Sequence, residues 1–494
     1  MAGYKSGIER SQVMMCSFED MVASDAMVRV IDRFVEVVDL GKLGFDKFEP
    51  AETGCPPYPP KEMCKLYVYG YENGVRSSRK LERETLRNVE VMWLMGGLTP
   101  DDWTISNFRK NNVRPLQKMF REFVKLCKSW DLIGGELVAF DGSKFKASNN
   151  KKMNFSRKKI DDRLARLDEQ IKNYLDDLET ADKENAKKKT DTAGLQKLLE
   201  RKELYEDYKK QLDVSGENEL SVVDPDARLM GNNRGGVEMA YNVQNAVDGK
   251  HDIIIEYDVS MNPADQHQLG NMVKKVKRKL KLRRFTALAD KGYYNGSDLL
   301  KLKRNKVKAI VARQKPCDSK RLSAEFRSEN FKYDSKTDTY TCPMGNELRT
   351  TNKNKDKRRH YYNKAACASC LHKSKCATGK SQFRRVTRNV YANIYDEADE
   401  NFRENKELYK RRQQIVEHPF GTVKHTMNGG YFLLRTRRKV CAEVALLFLG
   451  YNLKRAVKVL GFEEIMARLD GLYRSFYKIA LQMLDFGILA AGVG

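Results

Sequence analysis

Apolar positions in the first 130 residues recur at helical spacing. In PPKEMCKLYVYGY (residues 59–71) they step by three and four, the ENG that follows supplies a turn, and Ser77 or Ser78 is placed to cap a second helix reaching about Asn88. Along that second helix Arg76, Lys80, Arg83 and Arg87 share one face, with Arg79 beside them, while Leu81, Leu86 and Val89 lie on other faces and are available for packing. Helix, short Gly-containing turn and helix with a basic stripe form the outline of a helix-turn-helix, whose second helix enters a major groove. The same stripe also suits the solvated face of a helical bundle. LTPDDWTISNFRK announces a further helix, with Thr99 as cap, Pro100 at the first position and two acids in the first turn.

After residue 130 the period changes. ELVAFDGSKFKAS (136–148) alternates and is rich in β-formers, which predicts a strand carrying Asp141. Ile160, Leu164, Leu167, Ile171, Leu175 and Leu178 then step by three and four as a heptad-like seam, and beyond a polar linker Leu195, Leu198, Tyr205, Tyr208 and Leu212 mark a second helical run. Together they predict an inserted antiparallel helical hairpin, an arm for dimerisation or DNA contact. From residue 240, AYNVQNAVD and HDIIIEYDVS flank a D-G-K turn and read as a β-hairpin. Asp224 and Asp226 flank Pro225 and suit a turn at the entrance to these strands. Asp265 is placed as N-cap of the amphipathic helix behind it, FTALAD is an apolar strand ending at Asp290, Asn295 caps the next helix, and KAIVARQ is one more strand. An acid at the carboxyl end of a buried strand is either a ligand or a cap. The order strand (Asp141), strand, strand, helix, strand (Asp290), helix, strand is that of the RNase H-like fold, in which the first and fourth strands are neighbours.

Charge narrows the class of partner. Lys and Arg total 92 against 67 Asp and Glu, so 92 − 67 = +25, a field that attracts polyanions such as nucleic acid. The longest apolar run near the C-terminus, Val444 to Leu449, is too short to span a bilayer, and the N-terminal residues have no apolar h-region, so no membrane association and a cytoplasmic, nucleoid-associated location are expected. Ten cysteines in such a chain are thiols or metal ligands rather than disulfides. Cys342, Cys367, Cys370 and Cys376, in TCPMGNEL and ACASCLHKSKC, have the C-x2-C knuckle and the four soft ligands of a structural Zn2+ ribbon. His372 is an alternative ligand, and metal-free thiols are the other reading. Cys16, Cys55, Cys64, Cys127, Cys317 and Cys441 look like scattered small hydrophobes.

VAFDGSKFKAS, DPDARLM followed by YNVQNAVD, ALADKGYYNG, CPMGNEL with ACASC, IVEHPFGTVK, and the N-terminal YPPKEMCKLYVYGYENGVRSSRKLERE and TPDDWTISNFRK cover nearly the whole chain in order. In these stretches the chain resembles the bacterial insertion-sequence transposases, which carry an Asp-Asp-Glu triad on an RNase H-like core. The resemblance implies Asp141, Asp290 and Glu417 as catalytic ligands of Mg2+, with Mn2+ as a substitute. It makes Tyr409, Arg412 and Lys424 the family's DNA-contacting tyrosine, arginine and lysine around the glutamate. Some relatives place the arginine four residues before the glutamate, where this chain has Gln413, and Arg412 is one residue earlier. His418 is read either as a contact to DNA or water or as an ordinary packed histidine.

The implied function is transposition: binding the terminal inverted repeats of double-stranded DNA, cutting by two-metal-ion hydrolysis, and joining the 3′-hydroxyl ends to target DNA as a homodimer or larger assembly. A nuclease of the same fold without strand transfer and a non-catalytic DNA-binding descendant are the alternatives. The expected architecture is a mixed α+β chain. A helical DNA-binding domain spans 1–130, and an RNase H-like catalytic core spans 131–155 with 221–315 and 386–440. A coiled-coil hairpin is inserted at 156–220, a cysteine-rich zinc-ribbon-like module at 316–385, and a C-terminal helical region follows at 441–494.

Overall fold

The computed structural model describes residues 11, 13, 15–46, 56–183, 192–231, 235–313, 323–351, 358–377 and 381–475. Its N-terminal part is helical: α1 (Met27–Val37), α2 (Pro60–Glu72), α3 (Ser78–Arg87), α4 (Asp102–Asn111) and α5 (Val113–Ser129) are the longer elements. Gly74 turns the chain between α2 and α3 at φ +73, a left-handed conformation that favours glycine. α4 starts two residues later than Thr99 and Pro100 suggest. The side chain of Asp101 accepts from the Thr104 N–H at 2.6 Å and takes the capping role.

β1 (Leu137–Lys146) is central to the main sheet. A narrow stem follows, β2 (Asn154–Ser156), and leads into α6 (Arg157–Lys183) and α7 (Thr192–Ser215), which return to β3 (Glu219–Ser221), the antiparallel partner of β2. The predicted seam packs mainly at the base of this arm, where Phe155, Ile160, Leu167, Tyr205, Tyr208 and Leu212 are buried together, whereas Leu175 and Leu199 stay exposed.

The chain then re-enters the main sheet through β4 (Arg228–Gly231), β5 (Val237–Asp248) and β6 (Ile254–Ser260). β5 runs antiparallel to β4, β1 and β6. After α8 (Leu269–Leu280), β7 (Phe285–Ala289) lies parallel to β1, and α9 (Gly296–Arg304) leads to β8 (Val307–Val311), parallel to β7. Asn295 caps α9 as expected, accepting from the Ser297 N–H at 3.0 Å. Asp224 and Asp226 do more than turn the chain, because they accept from the backbone N–H groups of Thr436 and Arg437, more than 200 residues away.

The cysteine-rich segment forms two small sheets. One contains β9 (Lys332–Asp334), β10 (Thr339–Thr341) and β11 (Glu347–Leu348), and the other β12 (Arg359–Tyr361) and β13 (Val386–Arg388). They close over Phe331, Tyr340, Leu348, Tyr361 and Val386.

α10 (Ala392–Glu404), α11 (Lys406–Gly421) and α12 (Arg437–Leu460) follow, and residues 462–475 are helical beyond them. The apolar run Val444–Leu449 is buried within α12. Tyr257 of β6 packs edge-on against Phe448 of α12 and against Phe120 of α5, so the N-terminal helices, α12 and the sheet share one apolar core. Among the described residues no helix is long and apolar enough to cross a membrane.

Candidate active site

The parallel pairing of β1 with β7 aligns Phe140 with Ala289, so the next residues, Asp141 and Asp290, emerge side by side where β7 stops. The Asp290 Oδ1 accepts the Gly292 N–H at 2.6 Å and caps a single 3-10 turn, Lys291–Tyr293. Asp290 is therefore a cap and a neighbour of Asp141 at once.

A third acid joins them. Asp265 does not cap α8, whose first residue is Leu269 with Gln268 at the cap position. Its Oδ1 instead accepts from Asn242 Nδ2 and Gln244 Nε2, both at 2.8 Å. Asn242 and Gln244 are two residues apart on β5 and pair with Lys144 and Gly142 of β1, so they share a face. Gly142 is needed there because a Cβ would lie 2.3 Å from Asp265 Oδ1 and 2.3 Å from Gln244 Nε2. An acid just before a helix matches the capping pattern, which hid this role. The two amide side chains on one strand face were the available signal.

Burial first, with Asp265 and Asp290 adding to it, pushes the Asp141 carboxyl up to about 6, against the opposing Arg412 charge and the Gly142 N–H. Arg412 comes from α11, and its guanidinium stands 5.6 Å from the Tyr409 ring. Burial raises the Tyr409 hydroxyl, Arg412 opposes that, and Asp290 and Asp141 add to it. Despite its altered spacing, Arg412 is brought to the two aspartates. Lys424 donates to Ser143 Oγ at 2.6 Å and to the Lys144 carbonyl at 2.8 Å, and burial lowers its pKa.

Glu417 is on the exposed flank of α11 and accepts from Gln413 Nε2 at 2.8 Å. Its neighbour His418 pairs through Nδ1 with the Tyr451 hydroxyl at 2.9 Å. The structure thus brings Asp141, Asp290, Tyr409, Arg412 and Lys424 together and leaves Glu417 facing outward.

The pKa of Asp141 implies a pH-dependent stability. Raised from 3.8 to about 6, it contributes stability below pH 4 that is lost as pH rises through 6. In metal-free protein at pH 7, Asp141→Asn should therefore stabilise the fold by about 1–3 kcal/mol, and the gain should vanish near pH 4. Urea unfolding in chelator at both pH values checks this. Equal stability of the two proteins at pH 7 would mean that the carboxylate is well solvated.

The four clustered cysteines line one small cavity with Phe326, Phe331 and Leu348. The Asn346 N–H points at Cys342 Sγ at 3.3 Å, and burial, with the three other thiols adding, raises the Cys376 thiol. His372 packs its ring against Phe326. Cys64 and Cys127 are buried as small hydrophobes, Cys16 is exposed, Cys441 is half-buried, and Cys55 and Cys317 lie outside the described residues. Among the described residues no three His, Cys, Asp or Glu side chains stand at the separations of a formed metal centre.

The basic stripe on α3 is split. Lys80 and Arg83 are exposed, Arg79 is exposed and pairs with Asp102, and Arg87 is exposed and pairs with Glu84. Arg76, expected among the DNA-facing cations, is only 2% exposed. It donates to the Tyr431 carbonyl at 2.8 Å and stands 3.8 Å from the buried Glu443, which removes it from any DNA surface. Leu86, expected to pack, is 61% exposed.

Residues 16–111 match the model of a transposase domain (DUF772), and residues 341–457 match that of a transposase DDE domain. Asp141, Asp265 and Asp290 lie outside both matched segments. No curated protein matches the chain. Among solved structures the chain is similar to a piggyBac transposase synaptic complex with hairpin DNA, at 9% identity over 91% of this chain and 83% of that one, with a TM-score of 0.23. A likeness that slight says nothing about this fold.

Proposed function

We propose, from the premise that this chain belongs to the DDE transposases, that it binds the terminal inverted repeats of an insertion sequence, cleaves there and joins the 3′ ends to target DNA. The observation that carries this reading is the placement of Asp141, in the middle of β1, beside Asp290, just past the end of the parallel β7, in a strongly basic chain. The sheet order β6-β5-β1-β7-β8 supports an RNase H-like core.

The donor set suits Mg2+, or Mn2+ in its place: hard carboxylate oxygens, with Asp141 held protonation-prone by burial and by acids that a divalent ion would neutralise. Asp141 and Asp290 would hold it, with Glu417 released from Gln413 and turned inward. When bound, two such ions would supply the activation of a water or 3′-hydroxyl and the stabilisation of the leaving oxygen. Arg412 and Lys424 flank the acids and offer cations to the phosphodiester, and Tyr409 fixes Arg412 against its ring. Lys80, Arg83, Arg79 and Arg87 on α3 supply the duplex-facing charges. Two DNA ends call for two copies of the chain or more.

Incubating the full chain with oligonucleotide ends, a target duplex and Mg2+ tests the reading. Joined products support it. Cleavage without joining favours a nuclease, and binding alone favours a non-catalytic DNA-binding protein.

The four cysteines around one cavity suit a structural Zn2+ that ties 342 to 376. Protein purified without chelator should carry about one zinc per chain, and Cys367→Ser or Cys370→Ser should lose it. Metal analysis finding none in the parent protein would favour reduced thiols.

A further inference from the structure

We propose that the groove at the C-terminal end of β1 holds a nucleotide of the DNA strand being cut, its base stacked on Tyr431 and its phosphate between Lys146 and Arg435. The proposal rests on the transposase reading above and adds to it a DNA-binding subsite distinct from α3.

The sheet places this groove in line with the acids. β5 occupies one edge of β1 as far as Lys146, so Tyr431, which bridges to Lys146 in parallel, lies on the other edge, the one that β7 leaves at Phe140. Asp290 and Tyr431 therefore follow one another along a single edge of β1. The stretch from Asp141 to Lys146 separates them by about 16 Å, at about 3.3 Å per residue. A strand whose scissile phosphate lies at the acids reaches Tyr431 within a few nucleotides.

The groove has the chemistry of a nucleotide site. Its volume is about 590 Å3, its lining includes Lys146, Asn149, Asn150, Tyr431 and Arg435, and among the described residues no acid lines it. Lys146 and Arg435 are exposed, and Tyr431 is 40% exposed. The Arg76 guanidinium stands 4.5 Å from the Tyr431 ring centroid. Arg76 is buried, so it covers the inner side of the ring and leaves the outer side open.

The segment that presents these side chains is pinned almost residue by residue. The Tyr431 carbonyl accepts from Arg76 at 2.8 Å, and the Phe432 N–H donates to the Lys146 carbonyl at 2.8 Å. The Leu433 and Leu434 N–H groups donate to Glu443, and the Thr436 N–H donates to Asp224 at 3.0 Å. Thr436 itself sits at φ +71, a conformation that a β-branched residue holds only where its surroundings impose it. An aromatic ring fixed in the open loses little freedom when a flat partner covers it, and every nucleobase offers such a face. Two cations with no acid beside them supply the complementary charge for the phosphate.

The test uses the full chain in chelator, with duplex ends that carry 5-iodouracil at successive positions of the strand to be cut. Irradiation should join Tyr431 to a base within a few nucleotides of the cleavage position, and mass spectrometry of the peptides reads the site. Cross-links on α3 with none at Tyr431, or a Tyr431 cross-link only from an iodinated target duplex, would overturn the proposal. Tyr431→Phe should bind ends like the parent, and Tyr431→Leu should bind them about 10- to 100-fold more weakly. Arg435→Gln, at an exposed position, should lower the salt dependence of binding by about one phosphate contact. If Tyr431→Leu and Arg435→Gln both bind like the parent, this inference fails and the transposase reading stands. If the parent binds ends no better than unrelated duplex, the transposase reading falls as well.

Discussion

Asp290→Asn should lower Mg2+-dependent cleavage of DNA ends by about 10³-fold or more while leaving end binding unchanged. The substitution is mild for the fold, because an asparagine Oδ1 still accepts the Gly292 N–H that ends β7. It is severe for the chemistry, because one of two adjacent carboxylates loses the charge that would hold a divalent ion. Glu417→Gln should cut cleavage on the same scale, but by a different route. Glu417 faces outward in the structure, so its replacement should leave the stability of the metal-free protein nearly unchanged, whereas replacing Asp141 should raise it. Single-turnover cleavage and gel binding on the same preparations separate these effects. Near-normal cleavage by Asp290→Asn would sink the assignment of this acidic pair as the reaction centre.

Glu443→Ala should cost about 3–5 kcal/mol, because it strips the counter-charge from two buried cations. The Glu443 carboxylate is fully buried in α12. Its Oε1 accepts the Tyr71 hydroxyl at 3.0 Å, with Arg76 3.8 Å and Arg109 4.0 Å away. Its Oε2 accepts the backbone N–H groups of Leu433 and Leu434 at 2.9 and 2.8 Å. Alanine would orphan both backbone donors and leave two guanidinium groups in the interior. A shift of the urea midpoint equivalent to less than about 1 kcal/mol would show that solvent reaches this cluster after all.

How much of this was legible in the sequence depended on how local the cause was. The strands carrying Asp141 and Asp290 declare themselves through alternation and apolar runs, and their adjacency follows from the order of elements. The stripe on α3 was equally visible, but its division was not. Arg76 turns inward because of Glu443, far along the chain, and no local spacing encodes that partner. Asp265 was misread because capping is the common use of an acid before a helix. Its actual partners, Asn242 and Gln244, come from a strand some 20 residues earlier. The Thr99 cap failed for a smaller reason, since Asp101 offers a stronger acceptor two residues later. Glu417 was placed by resemblance, and on α11 it keeps company with Gln413 instead of the aspartates.

The Tyr71–Glu443 hydrogen bond spans 372 residues, and this bears on synthesis as well as stability. A ribosome releases α2, α3 and α4 long before it makes α12. During that interval Arg76 and Arg109 have no Glu443 to close around, and the basic N-terminal helices lack the anion that fixes them to one another. A polypeptide interrupted before Arg437 thus lacks the carboxylate that accepts the Tyr71 hydroxyl and stands beside the two buried guanidinium groups.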